Sequence, residues 1–310
     1  MNTSQICLAL ALALLFTAAL GGARAETFED IPLAAGMTEQ LLSRPLPIDF
    51  SGGAAPAEDC FDGFEAYDDP TLHVDIVFKE KQIPRGLLGY WVATVRVGDA
   101  SQLRTAAAES FSTNTALPGP EIAARVQAVL AVDGDYYGYH RNGYILRQGQ
   151  LFRDKLDGAR DVLLIDEDGD FHVVVRPPKG AVNDTVDGKK VINALFFGPA
   201  LVLNGETTVD FRYDVMDPDK HYDRICICQT GPLEYKIICS TGMRDGHVGI
   251  KLEDFAELAQ EEGAVTAYNL DGGNSTMLYF HGEKLNTVDR GKTRDLMDII
   301  YFASAWTGEE

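Results

Sequence analysis

A single carboxylate followed by two glycines, Asp271-Gly272-Gly273, stands between two apolar, strand-forming runs, Val265 to Leu270 and Met277 to Phe280. Adjacent glycines admit positive φ and let the backbone approach a ligand closely. Asn274, Ser275 and Thr276 follow with polar side chains and N–H groups. A carboxylate at the end of a buried strand, beside an N–H-rich turn, suits a site for an anionic substrate. The alternative is a β-hairpin whose Asp-Gly turn is purely structural. A second stretch, Ala131-Val-Asp-Gly-Asp-Tyr-Tyr-Gly138, brings Asp133 and Asp135 around a glycine at another apolar strand end. Paired carboxylates are the usual equipment for glycoside hydrolysis, one as nucleophile or base and one as acid. Arg224 stands at the mouth of a very apolar strand. It is either a surface charge or a fixed anion ligand, and guanidinium suits phosphate because it donates bidentately. With the Gly272 and Gly273 amides it could hold a phosphate. A phosphodiester leaving group has a strong conjugate acid, so a cationic cradle would stabilise it with little general-acid help. Taken singly, each aspartate can equally be a turn or cap residue.

These residues need strands to deliver them. Leu72 to Phe78 and Tyr90 to Val97 alternate apolar and polar, with Pro84 and Gly86 between them. Gly143 to Gly149 reads as a strand into a turn, and Phe196 to Leu203 as a strand closed by Asn204-Gly205. Arg224 to Gln229 and Tyr235 to Cys239 read as paired central strands, and Asp298 to Phe302 as a last one. Three helices are expected: Ser101 to Ser110 with Ser101 as N-cap, Glu121 to Leu130, and Leu252 to Glu262 closed by Gly263. Asp161 to Val175 reads as a hairpin with an acidic turn. Its Asp166, Asp168 and Asp170 have the opening spacing of a calcium loop, but the later ligands and flanking helices are missing, which favours a solvated hairpin tip.

Charge and composition restrict the partners. The 310-residue chain carries a formal net charge of −20, which argues against nucleic acid or an anionic membrane as partner. Any anionic substrate must then be bound by a local cationic or N–H-lined pocket. Ile6 to Leu20 is almost wholly Leu, Ala, Ile and Phe, and Ala23-Arg24-Ala25 is a small-x-small cleavage pattern. The run is short for a membrane span, which needs about 20 residues. Residues 1–25 therefore read as a signal peptide, residues 26–70 as a Pro- and Gly-containing leader or linker, and residues 71–310 as the main domain. The expected location is secreted or extracytoplasmic, with no membrane contact after cleavage. Cys60, Cys226, Cys228 and Cys239 would remain. A cross-strand disulfide and buried free thiols are both open, and zinc is disfavoured by the Cys-x-Cys spacing.

From about Tyr90 onward the chain resembles the phosphodiester glycosidase family, which is common among secreted bacterial proteins. The resemblance runs in order through Ala131 to Gly138, Gly143 to Gly149, Phe197 to Val202, Asn204-Gly205, Arg224, the helix from Leu252, Ala267 to Ser275, Arg294, and Asp298 to Ile300. It implies an α+β fold with a large mixed β-sheet, packed helices and a single main domain. It also implies hydrolysis of the glycosidic bond of a sugar-1-phosphodiester, within cell-wall or exopolysaccharide metabolism. The functional positions it implies are Asp133, Asp135 and Asp271 for catalysis, and Arg224, Gly272, Gly273, Asn274 and Ser275 for the substrate phosphate. The family usually has Asn where Asp133 stands and Thr where Ile225 stands. A Gly-Arg pair often follows the Cys239 strand; here Met243 follows Gly242 and Arg244 comes one step later, as a candidate second phosphate contact. No cofactor is required on this reading, though calcium or magnesium remains compatible. The competing readings are a non-catalytic polysaccharide-binding or assembly protein and a metal-dependent phosphodiesterase whose aspartates are ligands.

Overall fold

The computed structural model describes residues 40–208, 218–242, 246–289 and 291–308. The expected signal peptide at residues 1–25 and the candidate Arg244 lie outside the described residues. The largest sheet has nine strands, ordered β1 (Phe61–Asp62), β2 (Ala66–Asp69), β3 (Leu72–Ile83), β4 (Gly86–Val97), β16 (Glu234–Ser240), β15 (Ile225–Gly231), β17 (Thr266–Asn269), β13 (Ala200–Leu203) and β14 (Glu206–Thr207). A five-stranded sheet runs β19 (Glu283–Lys284), β18 (Leu278–Phe280), β6 (Ala128–Asp133), β20 (Asp298–Ala303) and β5 (Leu103–Ala107). A six-stranded sheet runs β10 (Phe171–Val174), β9 (Val162–Asp166), β12 (Lys189–Leu195), β7 (Gly143–Arg147) and β8 (Gln150–Lys155), with β11 (Thr185–Val186) on β12.

Period-2 alternation builds the layers. On β15, Ile225 and Ile227 face the five-stranded sheet, whose Leu130, Val132, Ile300 and Phe302 join them in one core. Cys226 and Cys228 point the other way, against α2 (Leu252–Glu261). On the outer face of the five-stranded sheet, Ala131, Ile299 and Tyr301 pack under α1 (Gly119–Arg125). The helix α2 buries Leu252, Phe255, Ala256, Leu258 and Ala259, each large apolar side chain contributing about 1.5–3 kcal/mol.

The expected α+β class with a mixed sheet is therefore wrong: the described residues form antiparallel sheets with two α-helices. All pairings between the named strands of the described residues are antiparallel, as β6–β20, β15–β17 and β4–β16 illustrate. Two sequence readings of helix explain the error. Half of Ser101 to Ser110 is β5, with a short 3-10 turn before it at Ala100–Gln102. All five β5 residues are buried, so the strand shows no alternation, and its alanines look helical. The cap there is Asp99, not Ser101, whose N–H donates to it. The helix expected over Glu121 to Leu130 stops at Arg125, because Gln127 adopts φ 55° and β6 begins at Ala128. Residues 61–69, read from sequence as leader, form β1 and β2 on the edge of the nine-stranded sheet.

Among the described residues Cys60, Cys226, Cys228 and Cys239 are free thiols. Cys239 faces the sandwich interior while Cys226 and Cys228 face α2, so β16 cannot bring Cys239 to either. The Asp166 turn is a tight β9–β10 hairpin. Lys189 lies 2.9 Å from Asp168 and 3.1 Å from Asp170, and His172 lies 2.9 Å from Asp166.

Candidate active site

The Asp271 stretch is not a hairpin. Its first strand, β17, pairs with β15 and β13 in the nine-stranded sheet, and its second, β18, pairs with β6 in the five-stranded sheet. The segment from Leu270 to Met277 crosses between the two layers, and Asp271 sits in that crossing. Gly273–Ser275 forms one 3-10 turn there. Gly273 has φ 61°, a left-handed conformation that favours glycine. A side chain on Gly272 would press on the Asp223 carbonyl at 2.8 Å.

The crossing lands beside the end of β6. Met277 N–H donates to Asp133 Oδ1 at 2.8 Å, and Asp271 N–H donates to the Gly134 carbonyl at 3.3 Å. Gly134 N–H in turn donates to the Asp298 carbonyl at 3.1 Å. Asp133, Asp135 and Asp271 are thus brought together, as the sequence expects, with Asp298 as a fourth carboxylate. All four are buried.

Their surroundings set them apart. Asp135 is ion-paired to Arg147 at 2.8 Å and accepts the Phe196 N–H at 2.7 Å. Asp298 shares the same guanidinium at 3.4 Å. Burial, then the charge of Asp135, pushes the Asp298 carboxyl up to about 7. Asp133 has no such cation: burial, then the charge of Asp271, pushes it well above the usual carboxylate range, and its Oδ2 has no hydrogen-bond partner. Burial raises Asp271 to about 6, against the Ser275 hydroxyl and the charge of Arg294. Both shifts run upward, and Asp133, fully buried and without a cation, is the carboxyl of the two that burial most favours in its protonated form, the kind of asymmetry that acid and base roles require.

The phosphate cradle read from sequence is arranged differently. The Gly272 N–H donates to Asp271 Oδ1 at 3.0 Å and the Gly273 N–H to the Asp223 carbonyl at 2.8 Å, so both amides are used inside the protein. Arg224 is 3% exposed, its Nε donating to the Ile250 carbonyl at 2.9 Å and its Nη2 to the Lys220 carbonyl at 3.1 Å. Its backbone abuts the loop, while these guanidinium bonds run to Ile250, just before α2, and to Lys220, just before β15. Asn274 is half-buried and its carbonyl accepts the Arg294 N–H at 2.8 Å. Arg294, which sequence reasoning placed in the resemblance but not in the site, lies 4.0 Å from Asp271 and donates to Ser275 Oγ at 3.3 Å. Its side chain is 46% exposed, so it can still reach a ligand. Among the described residues no group of three or more His, Cys, Asp or Glu side chains is placed to hold a metal ion.

The turn at Gly134 is unforgiving. A Cβ there would fall on the Asp298 carboxylate, which Arg147 holds in place. Gly134→Ala should cost about 1–3 kcal/mol through overpacking and displace Asp133. Thermal denaturation checks this; an unchanged melting temperature would mean that the Asp298 side chain yields freely.

Comparison with known proteins bears on this arrangement. The family model described as phosphodiester glycosidase matches residues 126–303, more than half of the chain. A curated relative, the SPbeta prophage-derived uncharacterized protein YomE of Bacillus subtilis (strain 168), is 26% identical over 187 residues, which is 58% of this chain and 28% of that protein. The chain thus spans little more than a quarter of that relative's length. Among solved structures, the zebrafish N-acetylglucosamine-1-phosphodiester alpha-N-acetylglucosaminidase catalytic domain, auto-inhibited by its pro-peptide, matches with TM-score 0.63 and 14% identity, covering 81% of this chain and 87% of that one. A hypothetical protein from Synechocystis matches with TM-score 0.51 and 16% identity, covering 77% and 64%. At such identities the two structures establish the shared fold.

Proposed function

The chain belongs to the phosphodiester glycosidase family, and from that premise we propose that it is a secreted hydrolase that cleaves the glycosidic bond of a sugar-1-phosphodiester. The observation that carries this reading is the convergence of the buried carboxylates Asp133, Asp135 and Asp271 where two sheets meet, with Arg294 4.0 Å from Asp271. Asp271 acts at the sugar C1, as nucleophile or as base for water. Arg294 takes the charge of the departing phosphate, and Asp133, whose carboxyl burial pushes well up, is the neighbouring acid. Asp135 holds the turn through Arg147 and Phe196. The apolar run Ile6 to Leu20 with Ala23-Arg24-Ala25 supports export, and no helix among the described residues is long and apolar enough to cross a membrane. A cell-wall or exopolysaccharide polymer is the proposed substrate source. The proposal requires no metal.

The test is turnover of an N-acetylglucosamine-1-phosphodiester in heavy-oxygen water, with and without chelator. Label on the sugar C1 hydroxyl supports the glycosidase; label on phosphate, lost with chelator, supports a metal phosphodiesterase instead. Binding without turnover would leave the non-catalytic reading. Activity should also follow the Asp271 carboxyl. Its folded pKa of about 6 means that kcat/KM is lost as pH falls through 6 and is level above it. A rate that is flat from pH 5 to 8 would take Asp271 out of the chemical step.

A further inference from the structure

We propose that Tyr136 and Tyr139 form an aromatic platform for a flat ring in the aglycone, the group that the substrate carries on the far side of its phosphate. The proposal rests on the glycosidase reading above. Four side chains lie in sequence from the buried acid to solvent. Arg294 Nη1 is 4.0 Å from Asp271 Oδ2. The guanidinium carbon of Arg294 is 5.1 Å from the centre of the Tyr136 ring. The Tyr136 ring stacks on that of Tyr139, with centroids 4.5 Å apart and planes 16° from parallel. If C1 is at Asp271 and the phosphate at Arg294, the next group along the substrate meets the tyrosine pair.

The platform is built into the loop. Tyr136 has φ 56°, a left-handed conformation that a bulky residue rarely adopts unless its surroundings impose it. Arg153 Nη1 donates to the carbonyls of Tyr137, His140 and Asn142 at 2.8, 2.7 and 3.1 Å. The Tyr137 hydroxyl donates to the carbonyls of Thr113 at 2.9 Å and Ser110 at 3.1 Å. A loop clamped on both sides of Tyr139 nevertheless leaves that ring 70% exposed, the most exposed large hydrophobic side chain among the described residues. One face of Tyr139 is covered by Tyr136, and a second ring can stack on the other. Nucleobases and pyranoses share this flat-faced chemistry; a methyl group lacks it.

Calorimetry with three phosphate monoesters tests this: methyl phosphate, uridine 5′-monophosphate and glucose 6-phosphate, each titrated into wild type, Tyr139→Ala and Tyr139→Phe. At least one ring-bearing ester should bind wild type more tightly than methyl phosphate. Tyr139→Ala should abolish that advantage, an affinity loss of about 10-fold, with methyl phosphate unchanged and Tyr139→Phe close to wild type. The ester that loses more tells nucleobase from sugar. Equal losses for all three esters, no loss for any, or no binding by wild type would overturn the platform. Turnover of a methyl-aglycone glycosyl phosphodiester, followed on the same proteins, reports separately on the glycosidase: that substrate does not use the platform, so its failure to react would sink the enzymatic reading alone.

Discussion

Asp271→Asn should reduce turnover of a sugar-1-phosphodiester by about a thousand-fold or more and at the same time make the protein more stable at pH 8. The first effect follows because an amide can neither attack C1 nor accept a proton from water. The second follows from the sign of the shift. The folded pKa is raised from 3.8 to about 6, so the folded state holds its proton more tightly than the unfolded chain. The stability this contributes is fully present below about pH 3.8 and is lost as pH rises through 6. Above 6 the folded protein carries a buried, ionised carboxylate at a cost of about 3 kcal/mol, at 1.36 kcal/mol per pKa unit. Asparagine keeps an oxygen for the Gly272 N–H and removes the charge, so it removes most of that cost. Urea denaturation should show a gain of about 1–3 kcal/mol at pH 8, about half of that at pH 5 and little at pH 3.5. A variant that lost turnover together with stability at pH 8 would be a folding mutant, and the catalytic assignment would have to be abandoned. Stability given up at an ionised active-site group is the usual sign of a site selected for chemistry.

The parts of this site that were legible in the sequence are those set by short-range pattern. Strand ends delivering Asp133, Asp135 and Asp271 could be read from apolar runs broken by glycine, and the α2 stripe from its helical spacing. What could not be read depends on which sheet a strand joins. Leu270 and Leu278 look like the two arms of a hairpin, yet they lie in different layers, and no local feature distinguishes the cases. Arg294 was not read as part of the site for a similar reason. Arg224, at the mouth of an apolar strand, had an evident signal, whereas Arg294 sits in a polar loop with no periodicity and reaches Asp271 only through the return of β20 beside β6. The class was misread because β5 is buried on both faces, which erases the alternation by which a strand is recognised. Arg147 did carry a signal, a lone charge inside the strand Gly143–Arg147. Its partner Asp298 is 151 residues away, and only the fold pairs them.

That pairing supports the second large prediction. In Arg147→Met, Asp135 and Asp298 remain buried without their cation, and removing one partner from a buried charge network costs about 3–5 kcal/mol. The loss should depend on pH. With Arg147 present, the Asp298 carboxyl is already pushed up to about 7; without it the value rises further. Its raised folded pKa supports the fold below the unfolded value near 3.8 and withdraws that support as pH climbs through 7, and in the variant the withdrawal continues to higher pH. Urea denaturation should therefore find the variant nearer to wild type at pH 5, where Asp298 can keep its proton, than at pH 8, where it cannot. Adding Asp298→Asn to Arg147→Met should recover part of the loss at pH 8, because the second carboxylate is then gone. Additive losses at both pH values would mean that the two groups do not share a charge, and that the Phe196 N–H alone holds Asp135. The effect on the site runs through Gly134, whose N–H is tied to the Asp298 carbonyl and whose missing side chain leaves room for the Asp298 carboxylate. A slackened triad lets that turn drift and takes Asp133 out of register with Asp271, so turnover should fall in the same variant and return with the same double substitution.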